Sequence, residues 1–452
     1  MNRKRLSGFS IIELSVALTA GLIVTLGIVA LSREATRTFH EEVRASAAEA
    51  TLRTAVDRLR ADLQRAGFMS TGNLTLDPII AGKTTTAASL PAGLSCTTFK
   101  TLCYLASVRL TNGGSSTQTP LSAIQSPALA PDMIDIGGNM TSVEQFEVQA
   151  VLPVGGASCQ TIQLSQSSAA YARVVAAGAS STGPSAAGTQ AVLTSMFQPD
   201  SASQFIVRLM DDTGHAQYLA TCPTNPVGMN GNQAYVSVDA RTPVLTAANT
   251  GNVGGVSGFG SGRAWVNPVQ VVRWELVAAS SGIEPAGFSA MAGESFGGND
   301  AGIDPYKYDL IRSFVGMDNN RISATVDVVA EYAVDLDFAF SVETGTVALP
   351  SILTYAFGDA NNAVAAGATY PYPQPGAVPE RLRAVRVRLA ARVAQPDRSR
   401  SVSLAAAAPY IYRYCVSATA CAAVGDPNLP LWARARTITT EVSLPNLATD
   451  FF

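Results

Sequence analysis

From Phe9 to Ser32 every position except Glu13 is apolar or small, and this stretch constrains the rest of the chain more than any other feature. The 19 residues from Leu14 to Ser32 carry no charge, and about 20 apolar residues suffice for a helix to cross the hydrocarbon of a bilayer. A carboxylate at that depth costs roughly 2.5 kcal/mol or more unless it is paired. Glu13 therefore calls for a partner. Ahead of it, Met1 to Gly8 is short, basic at Arg3, Lys4 and Arg5, and ends in glycine. A secretory signal peptide has an apolar core of about 7–15 residues and a small-residue cleavage site after it. This run is longer and no such site follows. A plain membrane anchor fits the length and leaves both Glu13 and the Gly8–Phe9 junction unexplained.

At Arg33 the chemistry changes. Thirteen of the 34 residues from Arg33 to Ala66 are charged and none is Pro or Gly, which predicts a soluble helix continuing out of the apolar stretch. Leu52, Val56, Leu59 and Leu63 recur at intervals of four, three and four and draw one apolar stripe. The stripe is expected to pack on the chain's own sheet, with a coiled-coil partner as the lesser reading. Glu49 with Arg53, and Arg58 with Asp62, stand at i,i+4 and are expected to pair on the wet face. Gly67 is placed to end the helix in a left-handed conformation. Phe9 to Ala66 thus reads as one helix of about 58 residues, roughly 87 Å long.

The remainder is sparsely charged. Charged residues make up 14% of the 452, against about a quarter in an ordinary domain, and a net charge of −3 gives no electrostatic case for binding nucleic acid. Three basic residues ahead of the apolar run favour a cytoplasmic start, so the body faces an oxidising compartment where disulfides persist. All six cysteines lie in that body. Their spacing suggests Cys96–Cys103 and Cys415–Cys421 as local loops, which leaves Cys159–Cys222 as the long bridge. No C-x-x-C occurs and His40 and His215 are the only histidines, which argues against zinc.

After Gly67 the sequence reads as strands and long surface loops rather than helices, with ten charges in the 134 residues from Gly67 to Asp200. Met133–Ile136, Gln145–Leu152 and Phe205–Met210 are candidate strands, and Ser165–Gln190 is a low-complexity surface segment. Gly251–Gly262 is a flexible loop that lacks the phosphate-binding pattern. Pro268–Val277 reads as a strand near Trp265 and Trp274. Val334, Leu336, Phe338 and Phe340 alternate with Asp335 and Asp337, predicting a strand with one buried face. Val385, Val387 and Leu389 alternate with Arg386 and Arg388, whose side is expected to be solvated, and Ile438–Leu444 is the last strand. Catalysis has little support: His40 falls in the long helix, His215 follows the polar Met210–Gly214 turn, and no nucleophile elbow is present. Asp300, Asp304 and Asp309 make a weak calcium candidate whose spacing is not that of an EF-hand. No cofactor is expected.

The run Gly8-Phe9-Ser10-Ile11-Ile12-Glu13-Leu14 resembles the processing site of type IV prepilins and type II secretion pseudopilins. The resemblance implies cleavage after Gly8, N-methylation of Phe9, and pairing of Glu13 with a cationic amino terminus during assembly. Tyr308–Arg312, Val329–Leu336, Leu382–Val387 and Arg436–Asn446 are similar to segments of PilW-like minor pilins, although Pro445 replaces the family's arginine. Ala30 stands where many major pilins have a helix-bending proline. The likeness covers residues 1–66 and about 305–446, and the stretch of about 80–265 reads as an insertion. It implies an α+β, pilin-like fold: leader 1–8, membrane-spanning helix half 9–32, amphipathic half 33–66, and an antiparallel β-rich head over 67–452 with long loops. The implied function is a non-enzymatic minor pilin, incorporated into or priming a type IV pilus near its tip. Its partners would be other pilins and minor pilins, a prepilin peptidase and an inner-membrane assembly platform. The chain would sit in the inner membrane with a periplasmic head, and then on the pilus surface. A type II secretion pseudopilin and a pilus-displayed adhesin acting through 80–265 are the alternatives.

Overall fold

A computed structural model describes residues 10–74, 77, 96–114, 130–152, 158–181, 183–212, 214–244, 263–281, 283, 285, 307–344, 351–365, 379–394, 413–415 and 432–447. Helix α1 spans Ile11–Gln64, 54 residues. It stops two residues short of the expected Ala66 because the N–H groups of Arg65 and Ala66 donate to the Asp62 and Leu63 carbonyls, both at 3.0 Å, tightening the final turn. Gly67 then takes a φ of +72°, and its N–H donates to the Gly137 carbonyl at 2.8 Å. One glycine thereby ends the helix and ties it to a sheet.

The stripe is buried. Leu52, Ala55, Val56, Leu59, Leu63 and Ala66 enter one hydrophobic core with residues from two β-sheets. Glu49 and Arg53 pair at 2.6 Å on the exposed side, as their spacing suggests. Arg58 and Asp62 do not pair. Asp62 is buried and accepts from Trp274 Nε1 at 2.9 Å and Arg312 Nε at 2.7 Å, while Arg58 forms an ion pair with Asp327. An exposed i,i+4 pair contributes only tenths of a kcal/mol, so a buried charge-assisted set of bonds outcompetes it.

The body follows in chain order: α2 (Lys100–Cys103), β1 (Val108–Thr111), β2 (Met133–Gly138), β3 (Phe146–Leu152), β4 (Cys159–Leu164), α3 (Ala169–Ala177), α4 (Ala186–Phe197), β5 (Ile206–Asp211) and β6 (Ala216–Ala220). Then come β7 (Val227–Asn230), β8 (Gln233–Asp239), β9 (Ala264–Ala278), β10 (Tyr308–Phe314), β11 (Asp327–Ala330), β12 (Ala333–Glu343), β13 (Ile352–Thr354), α5 (Ala360–Ala365), β14 (Leu382–Arg392), β15 (Arg413–Cys415) and β16 (Trp432–Ser443). A five-stranded antiparallel sheet has the order β13-β12-β14-β16-β15, and an eleven-stranded sheet is organised around β9. The fold is therefore a long apolar helix followed by a β-rich body, α+β in class.

Two expectations about strands need correcting. Both faces of β12 are buried, Asp335 and Asp337 included. The arginine side of β14 is half-buried rather than solvated. Register explains both, because Asp337 stands directly opposite Arg388. Arg388 pairs with Asp335 at 3.2 Å and also with Asp337, while Arg386 and Arg388 lie over the Phe357 ring at 5.4 and 5.1 Å. Opposite charges on adjacent strands satisfy one another in place of water.

Ser165–Gln190 lies mostly at the surface, as read, but it is helical rather than loop, containing α3 and the start of α4. Ser168 and Ser185 cap these helices, their hydroxyls accepting from Tyr171 N and Gly188 N, each at 3.2 Å. Ala170, Tyr171, Val174, Leu193 and Phe197 are buried. The two helices meet at glycine: a Cβ on Gly188 would lie 1.9 Å from the Gly178 carbonyl oxygen.

Strand β9 carries two sets of neighbours. Its Gln270–Trp274 segment pairs with β2 and its Val272–Ala278 segment with β10. Nearer its start, Trp265 and Val266 pair with β3, and Ala264–Val269 with β5. Two cores follow this division. The first surrounds α1, and the second contains only residues between Phe146 and Val266.

Candidate assembly interface

The first half of α1 touches nothing. Its large apolar side chains, from Ile11 to Leu31, are between 57% and 85% exposed. An 18-residue window reaches a mean hydropathy of 2.4 with none of it buried. The core helix of a soluble protein would be mostly buried, so this apolar surface has no partner within the described residues. Length and composition make it the one described helix able to cross a membrane.

Its polar groups are turned inward. Ser15 Oγ donates to the Ile12 carbonyl at 2.9 Å, Thr19 Oγ1 to the Ser15 carbonyl at 3.0 Å and Thr25 Oγ1 to the Gly21 carbonyl at 2.7 Å. Hydroxyls satisfied by their own helix backbone suit an apolar medium. Glu13 remains as the single charge. It lies in the first turn, where its carboxylate accepts the Ser10 N–H at 3.3 Å, while Ser10 Oγ accepts the Ile12 N–H at 3.3 Å. The helix dipole also favours an anion there. A carboxylate offers about four acceptor positions, so this single long bond leaves capacity for a cation.

Gly8 and Phe9 lie outside the described residues, as do Cys421, Asp300, Asp304 and the Gly251–Gly262 loop. Cys96 is bonded to Cys103 and Cys159 to Cys222, with Cα–Cα distances of 5.7 and 5.8 Å. Cys415 ends β15, opposite Trp432. Asp309 is fully buried; it accepts the Tyr332 N–H at 2.9 Å and pairs with Lys307 Nζ at 3.0 Å. Among the described residues no group of His, Cys, Asp and Glu is arranged to hold a metal ion. His215 Nδ1 stands 3.7 Å from the buried Asp211 carboxylate in the β5–β6 connection.

Inside the body, buried charges join β1, β2 and β9. Asp135 on β2 is gripped by Arg273 at 2.7 and 3.0 Å and by Arg109. Burial pushes this carboxyl up, but the two guanidinium charges outweigh it and hold it at about 2. Asp132, three residues earlier, has the opposite fate. Burial raises it to about 6, against the lowering effect of the Gly113 and Phe338 N–H groups it accepts, both at 3.1 Å. Asp132 thereby satisfies part of the open edge of β12. A groove of about 420 Å³ separates α1 from the body, lined by Arg44, Ala48 and Thr51 on one side and Val328, Tyr332 and Arg392 on the other.

No protein-family model, curated protein or solved structure matches this chain.

Proposed function

We propose that the chain is a minor pilin of a type IV pilus, inserted in the membrane through the first half of α1 and then drawn into the filament. The observation that carries this reading is the division of α1. One continuous helix of 54 residues holds a fully exposed apolar half and, from Leu52 onward, a stripe embedded in a β-rich head. A simple anchor has no need to share a rigid helix with the head. A subunit that must leave the bilayer and pack its apolar half against other subunits does. The charge at Glu13 supports the same reading, because a neighbouring or self-derived amino terminus would complete its ion pair.

Mass spectrometry of the cellular protein tests the reading. The expected product begins at Phe9 with a methylated amine, and Gly8→Trp should leave the leader attached. A mature product of ordinary mass from the Gly8→Trp chain would sink the proposal. Deletion of the chain is expected to abolish surface pili, and normal piliation in the deletion would remove the priming role.

A further inference from the structure

We infer that residues 139–269 form a separate β-barrel spliced into a hairpin of the head, able to unfold and refold while α1 and the head stay intact. Three independent observations point to it. The first is where the segment enters and leaves. Gly138 on β2 is the direct partner of Gln270 on β9, and partners in an antiparallel ladder lie about 5 Å apart. Removing everything between them leaves two strands that a two-residue turn can join.

The second observation is closure. From β9 the ladder runs through β3, β4 and β8 in one direction and through β5 and β6 in the other. The ends meet where Thr221 bridges Val238 and Cys222 N donates to the Ser237 carbonyl at 2.8 Å. The Cys159–Cys222 disulfide joins β4, on one side of β8, to the chain just after β6, on the other. Closing a sheet on itself removes its open edges. Ile162, Leu164, Val207, Leu209, Val236 and Val266 then point into a core that receives no residue of α1 or of the five-stranded sheet.

The third observation is attachment. Among the described residues the segment's polar links to the end of α1 go to residues just after the helix, with Arg65 donating to the Met140 carbonyl at 2.7 Å and Asn267 Nδ2 to the Met69 carbonyl at 2.9 Å. Met140 alone of the segment enters the core around α1. A smaller apolar seam joins Ile206, Tyr218 and Val269 to Phe99, Leu102 and Met317. The barrel is therefore carried at the C-terminal end of α1, about 80 Å from Ile11 along the helix. Whatever holds the apolar half, the barrel sits at the opposite end.

Hydrogen exchange on the full-length chain in detergent provides the test, using Val236→Asp to break the barrel from within. The expected result is loss of amide protection in β4, β5, β6 and β8, with the protection of β12, β14, β16 and residues 52–63 of α1 unchanged. Equal loss in the five-stranded sheet would overturn the inference. A second variant replaces 139–269 with Asn-Gly. It is expected to keep the Cys96–Cys103 bond and a protease-resistant five-stranded sheet, and a chain protease-sensitive throughout would overturn the inference as well.

Discussion

The two halves of α1 share one backbone and one helical geometry, yet they solve opposite problems. Residues 11–31 present apolar side chains on all sides and bury none of them. Residues 52–66 present one stripe and bury it completely between two sheets. The first pattern leaves the helix stable only in a medium that replaces water. The second fixes it to a folded body. Such a helix is a rigid handle whose head cannot be released without breaking a core.

The sharpest way to break that comparison is truncation at matched positions. Leu59→Ala empties a fully buried site and is expected to destabilise the head by about 2–5 kcal/mol. Leu22→Ala removes the same atoms from an exposed site and should change head stability by less than about 0.5 kcal/mol. Denaturant unfolding of the two variants in one detergent measures both. Equal losses would mean that the first half is packed on protein after all.

Asp62 comes next. It lies on the stripe's flank, and its carboxylate accepts from Trp274 and Arg312. Asp62→Ala strands both donors and is expected to cost about 3 kcal/mol, read as a lowered denaturation midpoint with an unchanged slope. Combining it with Arg312→Met should recover part of the loss, since the uncompensated cation is then gone.

These cases mark how far the sequence could be read. The helix and its stripe were legible because both signals are local: no glycine or proline from Arg33 to Ala66, and apolar residues at helical intervals. The fate of Asp62 was not, because its partners stand 212 and 250 positions away and only the fold chooses between them and Arg58. Pro268 hid the true start of β9, which runs back to Ala264; its missing N–H made it look like a first residue. Helices α3 and α4 were masked by alanine, glycine and serine that also make loops, although the capping serines Ser168 and Ser185 were there to be seen. Of the interface, Glu13 and the apolar run were plain from charge alone, and the inward-turned hydroxyls were not.

Acidity offers a comparison between two neighbouring carboxyls, Asp132 just before β2 and Asp135 within it. Asp132 is raised from 3.8 to about 6 by burial, so the folded protein holds a proton that the unfolded chain has already lost. Its contribution is complete below about pH 4 and disappears as pH rises through 6, up to about 3 kcal/mol in all. Asp135 is held at about 2 by Arg273 and Arg109 against its own burial. Its contribution is complete above about pH 4 and disappears as pH falls toward 2. Stability measured from pH 4 to 7 should therefore fall in the parent chain and fall less steeply in Asp132→Asn, the remaining slope coming from Asp335, which burial also raises to about 6. An unchanged slope in that variant would show that Asp132 is ionised throughout.

The smallest effect tests the wet side of the helix. Glu49 and Arg53 pair at 2.6 Å, with side chains 42% and 71% exposed. Solvent screens such a pair, and an i,i+4 contact of this kind contributes about 0.3–0.5 kcal/mol. The double-mutant cycle with Glu49→Gln and Arg53→Gln should return a coupling in that range at low salt and none at 1 M salt, where the screening length falls to about 3 Å. The groove beside Arg44, Ala48 and Thr51 begins one turn before this pair. A coupling that persists at high salt would mean that Glu49 and Arg53 are shielded in solution, and that this stretch of α1 belongs with the buried half.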